Sequence, residues 1–325
     1  VTIIETLSML ADQTENQKMQ KALYEVKADV EKGESFADAL SKHKKVFPEL
    51  LIQMARAGEA SGSLDTSMER MAIQFEKTAK TQALVKKAMI YPIVVALVAV
   101  AVIVVMLVFV IPRYMDMFEE LGTELPAITL AVVAMSNFIK NFWYIIIPVI
   151  IGIVMAVKSY AATSSGKHLF GKIQLKIPAI RNLVVKSACS QMARTLSTLL
   201  AAGVPLVEAV DIVAETMSNI WFKEALKEAT EQLIIGVPLS QPLQTSGLFP
   251  PMVYHMIHIG EEAGSTEEML NKLADYYEEE VEMAVQSLMA AMEPMIIVVL
   301  ACIVGVLIAA VMAPMVEMYS ALDNL

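Results

Sequence analysis

Few residues of this 325-residue chain have the types and spacings that chemistry requires. His255 and His258 stand three apart, with Glu261 and Glu262 close behind. On a helix that spacing puts two imidazoles on one face, as a metal site would need. Their equivalents in an internal repeat, described below, are Gln53 and Arg56, which favours a polar helix surface. Gly166-Lys167 hints at a phosphate loop, but Gly-x-x-x-x-Gly-Lys-Ser/Thr would need glycine at 161 and a hydroxyl at 168. The chain has Ala161 and His168 there. Glu293 sits at the edge of an apolar run, where acids are often functional, yet its repeat equivalent is Tyr91. The 23 methionines scatter without a ligand pattern and read as adaptable packing residues. No catalytic residue, cofactor or metal is expected, and without a nucleotide motif any energy must come from a partner.

The most specific polar positions are Glu59 and Glu261. Each lies in a Gly-Glu-x-x-Gly turn, formed by Gly58, Glu59 and Gly62 and again by Gly260, Glu261 and Gly264. Such a turn reads as a helix junction whose carboxylate accepts backbone N–H bonds at the start of the next helix. Contact with a partner is the alternative reading.

Composition sets the class of chain that holds these turns. Hydrophobic residues make up 56%, charged residues 18%, and the mean hydropathy is +0.55. A soluble domain carries about 25% charged and roughly 45–50% apolar residues. The apolar excess is gathered into runs, which excludes a disordered chain, a collagen and an ordinary cytosolic enzyme. Two cysteines, Cys189 and Cys302, exclude a disulfide scaffold. A net charge of −10 with no basic tail argues against nucleic acid as a partner.

Three apolar runs read as transmembrane helices. The first, over 88–112, holds 25 uncharged residues, enough at 1.5 Å per residue to span about 30 Å. The second, over 142–157, is shorter and borrows interfacial residues such as Trp143 and Tyr144. The third occupies 291–316. Lys77, Lys80, Lys86 and Lys87 precede the first run, and Lys158, Lys167, Lys172, Lys176, Arg181 and Lys186 follow the second. The intervening loop carries Asp116, Glu119, Glu120 and Glu124 against Arg113 and Lys140. Basic residues stay on the cytoplasmic side. Two cytoplasmic domains are therefore expected, 1–87 and 158–290, with a short loop over 113–141 and a tail over 317–325 outside.

The chain repeats itself. At an offset of 202, Phe47-Pro48 falls on Phe249-Pro250, Gly58-Glu59 on Gly260-Glu261, Gly62-Ser63 on Gly264-Ser265, Pro92 on Pro294 and Pro112 on Pro314. At 203, Gly33 falls on Gly236, Asn16 on Asn219 and Glu5 on Glu208. Spacings of three and four, as in Leu206, Val210 and Val213, make each unit helical. Ser265-Thr-Glu-Glu268 has the spacing of a capping box. From it, and more weakly from Ser63, a long helix should run into the membrane, kinked near Pro92 or Pro294. The fold class is all-α: a polytopic membrane protein with two repeated antiparallel helical bundles and three transmembrane helices. The second copy opens with Ser190 to Gly203, which has no counterpart ahead of Val1, so the first domain is expected to be N-terminally incomplete and the natural protein to extend upstream.

These features resemble the type II secretion F domain family, the inner-membrane platform proteins (PilC or GspF) of type IV pilus and type II secretion machines. Thr195 to Leu206, Leu125 to Thr129 and Tyr276-Tyr-Glu-Glu-Glu280 add to the likeness, which covers essentially the whole chain. The resemblance implies a non-catalytic adaptor in the bacterial inner membrane. Its partners would be a cytoplasmic assembly ATPase, and also a retraction ATPase, pilins or pseudopilins, other inner-membrane assembly proteins and membrane lipid, in a homo-oligomer. A small transporter built from a duplicated unit is the other class considered. Transporters place their repeats in the membrane with polar groups at midplane, whereas here the repeated mass lies outside the spans.

Two surfaces are assigned on residues. From Thr195 to Ala290 the chain holds 15 acids against Lys223, Lys227 and Lys272. Glu267, Glu268 and Glu278 are candidates for binding a basic ATPase face. Ala301, Gly305 and Ala309 form a small-residue stripe for close helix packing in the third span. The topology is checked with reporter fusions: one after Leu325 should read as extracytoplasmic, and one within 160–187 as cytoplasmic. Both in one compartment would refute three spans.

Overall fold

The computed structural model describes residues 2–113 and 127–322. Among them every regular element is helical. Leu125-Pro126, the loop acids from Asp116 to Glu124, and residue 325 lie outside the described residues. Two compact units form, Val1–Ala83 with Gly171–Ala284, and Leu84–Phe170 with Val285–Leu325. The divisions fall a few residues ahead of the expected 87 and 290, and beyond the expected 158.

In the first unit the helices are α1 (Ile3–Gln13), α2 (Gln17–Glu31), α3 (Phe36–Ser41), α4 (Glu49–Ser61) and the start of α5 (Leu64–Val105). The repeat returns as α9 (Leu206–Thr216), α10 (Ile220–Ile234), α11 (Ser240–Thr245), α12 (Pro251–Ala263) and α13 (Thr266–Leu322). Between the copies lie α6 (Ala127–Ala162) and α7 (Ser164–Lys176), and α8 (Pro178–Ala201) leads into the second copy. Equivalent residues start equivalent helices. The Asn16 side chain accepts from Lys18 and Met19 N–H, and that of Asn219 from Trp221 N–H.

The two copies, expected as separate domains, form one unit because α8 is apolar beyond a single stripe. Met192, Leu196 and Leu199 on α8 are buried with Val213, Phe222 and Ile257 of the second copy, and with Leu50, Met54 and Met71 of the first. A smaller core inside the first copy joins Leu7, Val26, Leu40, Phe47 and Ile52. Two buried residues tie α5 to α8, with Gln74 Nε2 donating to Thr195 Oγ1 at 3.2 Å.

A row of ion pairs joins the two long helices here, which run side by side in the same direction. Arg70 meets Glu267 at 3.8 Å, Lys77 meets Asp275 at 3.2 Å and Glu278 at 3.0 Å, and Lys80 meets Glu282 at 2.9 Å. Arg194 of α8, with only 11% of its side chain exposed, binds Glu278 at 2.8 Å and also Asp275. Burial disfavours the Arg194 charge, but its bonds to Glu278 and Asp275 outweigh that and raise its pKa. Burial would likewise raise the Asp275 carboxyl, yet Arg194 and Lys77 hold it below the usual range.

The second unit packs the end of α5, the first turns of α6 and part of α13 around Leu107, Ile111, Val132, Val133, Leu307 and Ala310. Residues 127–141, expected as loop, are helix continuous with the second apolar run, because the stretch from Ala127 to Val157 is mostly apolar and Lys140 is its one charged residue. Pro92 and Pro294 lie inside unbroken helix, and the register changes instead at a π turn, Met106–Val110, just ahead of Pro112. Among the described residues, three helices are long and apolar enough to cross a membrane, within Leu64–Arg113, Tyr144–Ala162 and Thr266–Ala310. Leu97, Val98, Ile153, Val298 and Val306 on them face outward, as a hydrocarbon solvent would require.

Replacing Arg194 with Met leaves Asp275 and Glu278 to share Lys77 alone and should cost about 2 kcal/mol at neutral pH, read by denaturant unfolding in detergent. The pH dependence has a definite sign. A carboxyl held low stabilises the fold above its unfolded value, about 3.9, and that stability is lost as pH falls through the folded value. Asp275→Asn should thus be less stable than the parent at pH 7, with the gap closing below about pH 4.

Candidate functional site

The duplicated turn has a physical task for each of its residues. Gly62 and Gly264 end α4 and α12 with φ of +72° and +66°, a left-handed conformation that glycine enters without strain. Ser63 N–H closes back on the Gly58 carbonyl, and Ser265 N–H on that of Gly260, each at 2.9 Å. Gly58 and Gly260 lie one helical turn earlier, where the following long helix crosses. A Cβ on Gly58 would stand 2.7 Å from Ser67 Oγ and 2.9 Å from Leu64 Cα, and one on Gly260 2.8 Å from Thr266 Cα.

Glu59 and Glu261 do cap a helix, but the preceding one rather than the next. Glu59 accepts Phe36 N–H at 2.6 Å and Ala37 N–H at 3.0 Å, at the start of α3. Glu261 accepts Leu239 N–H at 2.5 Å, Ser240 N–H at 3.4 Å and the Ser240 hydroxyl at 2.6 Å, at the start of α11. The chain doubles back, so the helix end within reach of each carboxylate is about 22 residues upstream. Glu268 pairs with Lys272 at 2.7 Å instead of closing a capping box on Ser265.

The family description "Type II secretion system (T2SS), protein F" matches residues 1–112 and 192–314. The chain belongs to this family. Both junctions lie inside the matched stretches, while α6 and α7 fall between them. A type IV pilus assembly protein PilC of Pseudomonas aeruginosa is 39% identical over 319 residues, covering 98% of this chain and 85% of that protein. A PilC of Thermus thermophilus is 37% identical over 324 residues, covering 99% and 80%. A type II secretion system protein F of Aeromonas hydrophila is 32% identical over 320 residues, covering 98% and 82%.

Elsewhere in the chain the other sequence candidates are dispersed. His258 meets Glu262 at 3.5 Å on the surface and the His255 ring lies tilted against that of Tyr254, with ring centroids 4.7 Å apart. Among the described residues no group of three or more His, Cys, Asp or Glu is placed to hold a metal ion. Gly166 lies within helix α7, where a Cβ would collide with the Tyr160 carbonyl, so its role is close packing. Cys189 is buried, which pushes its thiol up to about 12 and keeps it unreactive. Glu293 is exposed on α13.

The three candidate partner-binding acids differ in kind. Glu278 is committed to Arg194 and Lys77 inside the unit. Glu267 and Glu268 stay 53% and 63% exposed, each with one surface cation. Ala301, Gly305 and Ala309 face away from the chain's own packed residues, and nothing lies within 4 Å of a Cβ added at Gly305. The residues that sequence reasoning passed over are Arg194 and Lys77. A lone cation amid Cys189, Met192, Ala193, Leu196 and Leu199 was the signal for a buried charge partner.

Replacing Glu59 or Glu261 with Ala leaves the N–H groups of α3 or α11 uncapped and should cost about 1–2 kcal/mol each in unfolding experiments. Gly58→Ala and Gly260→Ala force the long helices off their seats and should cost about 1–3 kcal/mol. A neutral outcome for all four would show that the junction is not built on these contacts.

Proposed function

We propose that this chain is the non-catalytic inner-membrane platform of a type IV pilus or type II secretion machine. It couples a cytoplasmic hexameric ATPase to the insertion or extraction of pilin or pseudopilin subunits. One observation carries the reading: two copies of a helical module each continue, as α5 and α13, into an apolar stretch with no break between them. At 42 and 57 residues these helices are about 63 and 85 Å long. A displacement applied to a module passes along a hydrogen-bonded helix rather than being absorbed by a loop. The family and the names of its relatives support the platform role, and the lysines and arginines around the runs support a cytoplasmic position for both modules. Homo-oligomers, other inner-membrane assembly proteins and lipid complete the proposed surroundings.

The ATPase is proposed to meet the acidic second copy. Since Glu278 holds the unit together, the accessible part of that surface is Glu267 and Glu268. The Glu267→Lys/Glu268→Lys variant of the full chain should retain its helicity and unfolding temperature. It should bind the motor ATPase about 5-fold more weakly at low salt, with a shallower salt dependence. Unchanged affinity and slope would remove this face from the mechanism, and a parent chain that captures no ATPase would remove the platform reading itself.

A further inference from the structure

Pro112 and Pro314 hold the same place in the two repeats, and each removes one N–H from the end of an apolar helix. In α13 the donor four residues beyond Ala310 would be residue 314, so the Ala310 carbonyl lacks a helical partner. In the first copy the π turn moves the gap by one residue. Ile111 N–H donates to the Met106 carbonyl, five residues back, and the next residue is Pro112. The Leu107 carbonyl is thus passed over by the residues four and five beyond it. Unpaired carbonyls are costly in an apolar setting, where water cannot serve them.

Helix α6 supplies both missing donors. Thr129 Oγ1 donates to the Ala310 carbonyl at 2.8 Å, and Ser136 Oγ donates to the Leu107 carbonyl. Both side chains are buried. They stand seven residues apart, two helical turns, on one face with Val132 and Val133, which pack in the same cluster as Leu107, Ile111, Leu307 and Ala310. Helical hydroxyls commonly turn back to the carbonyl four residues earlier, as those of Thr78, Thr81 and Thr198 do. Thr129 and Ser136 instead reach across to another helix, each to a carbonyl that proline has freed.

We propose that Thr129 and Ser136 are positioning residues, a two-point clasp through which α6 holds the two repeated spans at their proline ends. The clasp sets the height of α6 as well as its affinity. A shift by one turn would bring the hydroxyls to carbonyls already engaged in helix bonds, and would leave the freed ones bare.

The test is a pair of double-mutant cycles on the full chain in detergent or nanodiscs, read by thermal unfolding. Ser136→Ala should lower the unfolding temperature by about 2–4 °C. On a Pro112→Ala background, where the backbone regains its own donor, the same change should have less than half that effect. Thr129→Val should depend on Pro314→Ala in the same way. Ser136→Thr, which keeps the hydroxyl, should match the parent, and Pro314→Ala should not rescue Ser136→Ala. Equal losses with and without the matching proline would show that the hydroxyls act by packing alone and overturn the clasp. Should Ser136→Ala fail to accumulate, recovery of folded protein by Pro112→Ala supports the proposal, and its absence overturns it.

Discussion

A helix of six residues cannot satisfy its own first N–H groups, and α3 and α11 are both of that length. Each is completed by one carboxylate, Glu59 or Glu261, brought back from the following helix. Much else depends on that contact. It pins α4 and α12 beside the short helices, which sets where Gly62 and Gly264 turn the chain. Gly58 and Gly260 then let α5 and α13 start against the helix just completed. The long helices therefore begin from fixed points, as any element that is to transmit displacement must.

Duplication supplies two such starting points, and divergence between the copies joins them. Lys80 and Glu282 are repeat equivalents under the 202-residue offset, and they pair with each other at 2.9 Å. Equivalent positions can touch only where the local symmetry axis passes between them, so opposite charges there make a pair where identical ones would repel. Arg194, from the helix that opens the second copy, closes the same row with Asp275 and Glu278. The acid excess of the second copy is thereby partly consumed by cations of the first. A segment-by-segment charge count could not show this, because the partners lie about 200 residues apart in sequence.

Proline carries the repeat into the apolar unit with a different consequence. In a soluble loop a freed carbonyl turns to water, whereas beside Leu107 and Ala310 it has only neighbouring helices to turn to. The two repeated prolines therefore make α6, which lies outside the repeat, part of the same packed cluster. Its first turns, taken from hydropathy as loop, are helix.

The sequence by itself determined the helical class, the apolar segments, the duplication and the residues of both junctions. Those follow from local rules: helical periodicity, run length, and the restricted tolerance of glycine and proline for backbone geometry. It also pointed to the carboxylate of each junction as an acceptor for helix N–H groups. Only the tertiary structure decided which helix receives it, because chain reversal turns the first N–H groups of α3 and α11 towards it. The fusion of both copies into one core, the burial of Arg194 among carboxylates, and the meeting of Thr129 and Ser136 with proline-freed carbonyls were likewise decided there. In each case the partners come together through the packing of whole helices, so residue type and spacing along the chain do not specify the pair.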